Sequence, residues 1–121
     1  MTFKQVIQLT HISKSYSLGK TKIRALRDIC LNVSAKEFLV IAGPSGSGKT
    51  TLLNLIGLID RPGKGTIRLG SERVSDGGFK KAASIRRDRI GYVFQSFNLI
   101  PVLNVFANVE YPLILQGISK H

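Results

Sequence analysis

The chain has 121 residues, a formal net charge of +11 and a hydrophobic content of 43%. This length and composition indicate one folded domain and exclude a disordered chain. The one cysteine, Cys30, excludes an intrachain disulfide and is predicted to be a small buried side chain. The two histidines, His11 and His121, have no cysteine or acidic companions at ligand spacing, so no structural metal site is predicted.

The net charge arises from 18 Lys and Arg against 7 Asp and Glu. One interpretation is an anionic partner, such as nucleic acid, an acidic membrane surface or the phosphates of a nucleotide. The other is a solvated basic face. We favour the solvated face, because the basic residues are scattered and are not interleaved with aromatic residues. Nucleic acid is therefore not expected as a partner.

The chain begins with two predicted strands. Residues 6–12 show the two-residue alternation of a strand, and residues 23–33 are typical of a second strand. The stretch "SLGKTK" between them is a turn, which predicts an antiparallel pair. The inward-facing residues of the second strand are predicted to be Ile23, Ala25 and Ile29.

A glycine-rich loop follows a short apolar run. Residues 38–42, "FLVIA", are wholly apolar, which predicts a strand buried on both faces of a parallel sheet. Residues 43–50, "GPSGSGKT", come next and fit the pattern G-x-x-x-x-G-K-[ST]. Residues 49–59 then carry apolar side chains at helical spacing. A strand entering this loop and a helix leaving it form the context in which the pattern binds phosphate.

The residue types of the loop explain how it would bind phosphate. Glycine lacks a Cβ, so the backbone can turn tightly and point several N–H groups at one centre, beside a helix N-terminus that attracts anions. Lys49 adds a positive charge for the β- and γ-phosphates, and the Thr50 hydroxyl can bind Mg²⁺. The predicted cofactor-binding residues of this stretch are Gly43, Pro44, Ser45, Gly46, Ser47, Gly48, Lys49, Thr50 and Thr51.

The remainder of the chain mixes short strands and helices. "DRPGKG" ends the helix after the loop. Strands are predicted at residues 66–69, 72–74 and 90–94, the last being the apolar run "IGYVF". A basic helix is predicted at residues 79–89, and residues 102–115 are predicted to be helical although Pro112 is a weak point.

One segment has the length of a membrane span. Residues 97–118 contain a single charge, at Glu110. Two prolines and several amide side chains interrupt the segment, so a span is not the favoured interpretation.

The acidic residues do not form an evident hydrolytic site. Hydrolysis of a nucleotide requires a positioned water, usually beside a carboxylate that ends an apolar strand. None of the seven acids follows an apolar strand of four or more residues, and "IGYVF" is followed by Gln95. The acids are Asp28, Glu37, Asp60, Glu72, Asp76, Asp88 and Glu110.

The stretches "GPSGSGKTTLLNLIGLIDRPGKGTI" and "RRDRIGYVFQSFNLIPVLNVFANVEYPLIL" resemble the N-terminal half of an ABC-transporter ATP-binding subunit. The closest likeness is to the bacterial subfamily that serves macrolide efflux and lipoprotein release, and it covers the chain from about Phe3. The resemblance implies a partial P-loop NTPase fold of the α/β class, with an antiparallel β subdomain followed by the P-loop strand and helix. Residues 1–95 would form this part, and residues 96–121 would begin the helical subdomain.

The resemblance also assigns roles to individual residues. Tyr16 lies at the aromatic position that stacks on adenine, and residues 43–51 form the Walker A loop. Gln95 matches the Q-loop glutamine, which contacts Mg²⁺ and water, so Thr50 and Gln95 are the implied magnesium contacts. Residues 96–115 resemble the surface that meets a transmembrane permease, and the family pairs two ATP-binding subunits. The implied location is the cytoplasmic face of the plasma membrane, where the permease holds the subunit.

Other family motifs are expected but do not occur in this sequence. They are the LSGGQ-type signature, the Walker B aspartate, the catalytic glutamate and the switch histidine, a role for which His121 is not a candidate. A truncated chain of this kind is expected to bind MgATP without hydrolysing it efficiently, and to have an incomplete core with an exposed sheet edge. The alternatives are a nucleotide-binding fragment without a transport role and a basic nucleic-acid-binding module. Asn104 and Ala107 depart from common family residues, which predicts weaker helix capping there.

Overall fold

The computed structural model describes residues 4–118 and forms two compact units, Met1–Ala82 and Ala83–His121. The first unit contains four strands: β1 (Gln5–Leu18), β2 (Thr21–Ser34), β3 (Lys64–Leu69) and β4 (Glu72–Arg73). Helix α1 (Lys49–Ile56) lies between β2 and β3 in the chain. Helix α2 (Gly78–Arg89) begins in the first unit and ends in the second, which also contains helix α3 (Val105–Leu115). The predicted division at residue 95 stays a prediction.

The four strands form one antiparallel sheet in the order β2-β1-β3-β4. The predicted hairpin is confirmed, since β1 and β2 pair antiparallel from Gln5 with Ser34 to Leu18 with Thr21. Both strands are longer than predicted, because pairing continues through polar residues up to a tight turn at Gly19, where φ is 60°.

Irregular pairing in the hairpin changes which side chains face inward. The β1–β2 register shifts on both sides of Ile12, and His11 and Asp28 adopt positive φ values of 52° and 49°. Such bulges re-aim the side chains beyond them. The predicted inward set of β2 was wrong: Ile23 is exposed and both Ala25 and Ile29 are half-buried, whereas Leu26 and Val33 are buried.

The core of the first unit joins the sheet to α1. Its fully buried side chains are Leu9 and Ile12 of β1, Leu55 of α1 and Ile67 of β3. Burying a side chain of this size contributes about 1.5–3 kcal/mol relative to leaving it exposed. The predicted helix at 49–59 is confirmed but ends at Ile56, with Gly57 as its C-cap. The Gly57 N–H donates to the Leu53 carbonyl at 2.8 Å, and the Leu58 N–H donates to the Leu55 carbonyl at 3.1 Å.

Two predicted apolar strands were wrong. Residues 38–42 and 90–94 belong to no strand among the described residues, and Phe38 and Val93 are 92% and 103% exposed. Residues 38–42, which the resemblance assigns to the P-loop strand, therefore have no strand partner among the described residues. Apolarity fits a buried parallel strand only where neighbouring strands supply a hydrogen-bond ladder and covered faces. The four described strands pair with one another and with neither segment.

The prediction for Cys30 was also wrong, because its side chain is exposed. Cys30 lies on β2 opposite the bulge at His11, whose backbone N–H donates to the Cys30 Sγ at 3.3 Å.

Within residues 4–118 no helix combines the length and apolarity that a bilayer crossing requires.

Candidate functional site

The glycine-rich loop, residues 43–50, is a series of bends that leads directly into α1. Gly46 and Gly48 adopt φ values of 78° and 94°, which only glycine tolerates readily. Gly48 is the N-cap of α1 and makes no side-chain capping hydrogen bond. The first N–H groups of α1 are therefore open to an external acceptor, and the positive end of the helix dipole lies beside them.

The loop rests closely against β2. A Cβ added to Gly48 would lie 2.7 Å from the Ala25 carbonyl oxygen and 3.0 Å from the Leu26 Cδ2. A Cβ added to Gly43 would lie 2.8 Å from the Ser47 Oγ. The contact at Gly48 is with backbone, which cannot move aside easily, so the loop conformation requires glycine there. The contact at Gly43 is with a serine side chain that can rotate away.

Lys49 holds its ammonium over the loop that precedes it. The Lys49 Nζ donates to the carbonyl oxygens of Gly43 and Pro44, each at 2.7 Å, and to the Ser47 Oγ at 3.3 Å. The ammonium therefore lies within the curve of the loop, where two carbonyl oxygens and one hydroxyl converge on it. A bound anion would exchange with one of these acceptors.

Two hydroxyl groups follow Lys49 on the first turn of α1. The Thr50 side chain is exposed and Thr51 is half-buried. Mg²⁺ prefers hard oxygen ligands and usually retains several waters, so an exposed hydroxyl beside the loop fits the requirement. The role of Thr50 toward Mg²⁺ stays a prediction.

Tyr16, the predicted base-stacking residue, lies on β1 opposite Ile23 and is 40% exposed. Its hydroxyl donates to the Asp60 Oδ2 at 2.8 Å. The Lys14 Nζ donates to the Asp60 Oδ1 at 2.7 Å and to the Arg61 carbonyl at 2.6 Å. The same ammonium lies over the Tyr16 ring, 5.1 Å from its centroid. Tyr16 is thus tied to the segment that follows α1.

The carboxyl group of Asp60 has a lowered pKa in this network. Its burial alone would raise the pKa of the carboxyl group, but hydrogen bonds from Lys14, the Arg61 backbone N–H and Tyr16 lower the pKa below 3.8. Sequence reasoning assigned no role to Asp60 or Lys14. For Lys14 the available signal was the Lys14-x-Tyr16 spacing, which favours both side chains on one face of a strand, whereas no local pattern pointed to Asp60.

Gln95, the predicted Q-loop residue, lies in an exposed bend of the second unit. Its predicted role toward Mg²⁺ and water stays a prediction. Just before it, the rings of Tyr92 and Phe94 stack with centroids 5.6 Å apart. Burial raises the pKa of the Tyr92 hydroxyl, although the charge of Arg86 acts in the opposite direction.

Asn108 organises the turn before α3 and was missed as a structural residue. Its side-chain amide donates to the carbonyls of Ile100, Leu103 and Asn104, and its Oδ1 accepts from the Ile100 N–H at 2.8 Å. The signal was an amide side chain within an apolar stretch. The prediction of weak capping was wrong, because the Asn104 Oδ1 accepts from the Ala107 N–H at 2.8 Å.

Residues 26–120 match the family described as ABC transporter, so the chain belongs to that family. An uncharacterized ABC transporter ATP-binding protein of Thermotoga maritima is 45% identical over 115 residues, or 95% of this chain and 49% of that protein. A macrolide export ATP-binding/permease protein, MacB, of Bdellovibrio bacteriovorus is 42% identical over 109 residues, or 90% of this chain and 17% of that protein.

The structure is similar to a solved cassette. That cassette is MJ0796 of Methanocaldococcus jannaschii, described as a dimer in a post-hydrolysis state bound to ADP and Pi. The TM-score is 0.89 at 43% identity, and the match covers 95% of this chain and 50% of the cassette. The predicted partial ABC ATPase fold is confirmed. The chain spans about half the length of the first relatives it matches.

Proposed function

We propose that this chain binds MgATP through residues 43–50 and serves as the ATP-binding part of an ABC transporter that drives export. The observation that carries the proposal is the position of the Lys49 ammonium, held 2.7 Å from two carbonyl oxygens of the loop at the start of α1. A cation fixed there, beside uncapped helix N–H groups, forms a local site for the β- and γ-phosphates.

The residues of the loop would divide the work of binding. Backbone N–H groups of the loop and of the first turn of α1 donate to phosphate oxygens. Lys49 exchanges one of its loop acceptors for a phosphate oxygen and supplies a full positive charge. The Thr50 hydroxyl would hold Mg²⁺, with Gln95 as the second contact that the family resemblance implies, and the ion would supply positive charge that neutralises part of the phosphate charge. The partly exposed ring of Tyr16 provides an apolar face for the adenine base.

We further propose that the chain by itself binds ATP without turning it over efficiently. Each of the seven acids already interacts with another group. Asp28 pairs with His11, Asp60 with Lys14 and Asp88 with Arg87. Asp76 pairs with Arg73 and Glu72 with Lys81. The remaining two are also engaged, Glu37 through the Ser34 backbone N–H and Glu110 through a contact of its own. This pattern supports binding without a carboxylate committed to activating water.

Residues 96–115 are proposed as the surface that meets a transmembrane permease. The segment exposes large apolar side chains, and α3 has no buried residue. An exposed apolar surface of this kind often marks a docking site. The name of the MacB relative, an ATP-binding/permease protein, agrees with such a partner. A cytoplasmic position at the membrane and pairing with a second ATP-binding subunit are part of the same proposal.

The proposal is tested by titrating the purified chain with MgATP and following phosphate release in parallel. We expect saturable binding that is lost in Lys49→Ala, with little phosphate release in either protein. Lys80→Ala removes an exposed cation of α2 and is the matched control for the change in net charge. Absence of saturable binding by the unaltered chain would overturn the proposal. Steady phosphate release abolished by Lys49→Ala would overturn only the statement on turnover.

A further inference from the structure

We infer that Asp60 is a positioning residue that fixes the base-stacking ring of Tyr16 to the helix carrying the phosphate site, with Lys14 closing one face of that ring. This inference rests on the proposed binding of ATP. It goes beyond that proposal because it assigns base recognition to two residues, Asp60 and Lys14, that contact neither phosphate nor Mg²⁺.

The two oxygens of Asp60 are engaged by different residues of β1. The Oδ2 accepts from the Tyr16 hydroxyl at 2.8 Å, and the Oδ1 accepts from the Lys14 ammonium at 2.7 Å. Residues 14 and 16 are two apart on a strand, so their side chains emerge on one face and can reach a single carboxylate. The Oδ1 also accepts from the Arg61 N–H at 2.6 Å, which limits rotation of the carboxylate.

The backbone of Asp60 is in turn attached to α1. The N–H groups of Ile59 and Asp60 donate to the Asn54 carbonyl at 2.9 and 3.2 Å. Helix α1 begins at Lys49, whose ammonium lies over the phosphate loop. A continuous series of contacts therefore runs from Lys49 along α1 to Asn54, then through Asp60 to the hydroxyl of Tyr16. This series of contacts fixes the ring of Tyr16 relative to the phosphate loop.

Lys14 decides which face of the ring is open. Its ammonium lies over the Tyr16 ring at 5.1 Å from the centroid, and its side chain is only 14% exposed. A cation on one face is attracted by the ring quadrupole and excludes a base from that face. The base would stack on the opposite face. The two hydrogen bonds to Asp60 keep the Lys14 ammonium on the same face of the Tyr16 ring.

We call the two hydrogen bonds to Asp60, from Tyr16 and from Lys14, the clamp. This arrangement predicts that the clamp affects binding of the base and not binding of the phosphates. A flexible ring would lose conformational freedom when adenine stacks on it, whereas a ring already fixed would not. Loss of the clamp should therefore weaken ATP binding and leave binding of an inorganic triphosphate unchanged. A residue that only stabilised the fold would change both affinities together.

The test compares MgATP with magnesium tripolyphosphate in calorimetric titrations of the full 121-residue chain. Tyr16→Phe keeps the ring and removes only the hydroxyl, and Asp60→Asn keeps the shape of the carboxylate and removes its charge. We expect each substitution to weaken ATP binding about threefold to tenfold, which is the size of the cost of immobilising one side chain on binding. Tripolyphosphate affinity should stay within about twofold. Tyr16→Phe also keeps the inference testable should Asp60→Asn fold poorly.

The double variant and a control complete the experiment. Both substitutions act on the same hydrogen bond, the one between the Tyr16 hydroxyl and Asp60. The Tyr16→Phe/Asp60→Asn double variant should therefore bind ATP little worse than either single variant. Asp28→Asn removes a carboxylate that pairs with His11 on the same hairpin, and it should leave both affinities unchanged.

Three results would overturn the inference, and the first of them is failure of the proposed function itself. If the unaltered chain binds neither ligand, ATP binding itself fails and the inference fails with it. If the unaltered chain binds ATP in a Lys49-dependent manner but both single variants keep the ATP-to-tripolyphosphate affinity ratio, only the clamp is wrong. A parallel loss of both affinities also rejects the clamp and assigns Asp60 to folding alone.

Discussion

Gly48 and Ala25 approach so closely that a Cβ on Gly48 would lie 2.7 Å from the Ala25 carbonyl oxygen. The same glycine has a φ of 94°, a conformation that side chains disfavour. Gly48→Ala must therefore push the loop away from β2 and also strain its backbone. We expect a loss of about 1–3 kcal/mol in the free energy of unfolding, measured in urea, and a marked loss of MgATP affinity.

The comparison variant for this prediction is Gly46→Ala. Gly46 also has a positive φ, of 78°, but a Cβ there would meet nothing within 4 Å. The variant isolates backbone strain from the clash with β2, so it should be the less damaging of the two. Equal losses in both variants would show that contact with β2 does not position the loop.

The carboxyl group of Asp60 predicts a dependence of stability on acid. Its pKa in the folded chain lies below 3.8, whereas the value in an unfolded chain is about 3.9. The folded state therefore binds fewer protons, and stability falls as the pH drops through this range. The contribution is present above about pH 5 and lost below the folded pKa. Asp60→Asn should lose stability at pH 7, and its difference from the unaltered chain should shrink toward pH 3.

Urea unfolding at several pH values between 7 and 3 measures that difference. Asp76→Asn is the matched control, since it removes one carboxylate from an exposed pair with Arg73 and reports the general effect of net charge. A difference between Asp60→Asn and the unaltered chain that stays constant down to pH 3 would contradict the prediction.

Local sequence determined the parts of the molecule that local interactions build. The loop at residues 43–50 and helix α1 follow from glycine spacing, Lys49 and an apolar helical face, all within a short stretch. The hairpin likewise follows from alternation and one turn. The capping of α3 by Asn104 depends on a residue three positions away, and the known preference for asparagine at the N-cap predicts it.

Other mispredicted features depend on distant residues. Residues 38–42 and 90–94 are apolar enough for buried strands, but strand formation needs partner strands that a local stretch does not contain. The inward set of β2 changed because bulges alter register without an obvious residue pattern. The contact between Tyr16 and Asp60 joins residues 44 positions apart, so no local spacing could reveal it.

Asn108 offers a prediction for the second unit that can be measured at one amide. Its Oδ1 accepts from the Ile100 N–H at 2.8 Å, and its amide donates to three carbonyls between Ile100 and Asn104. Asn108→Ala removes all four hydrogen bonds while keeping a good helix former in α3. We expect the Ile100 amide to exchange with solvent at least about tenfold faster, which corresponds to a local loss of about 1.4 kcal/mol. Ser96→Ala, which removes only an exposed contact with Asn98, is the control and should leave that exchange rate unchanged. An unaltered exchange rate in Asn108→Ala would mean that the turn before α3 holds its shape without this side chain.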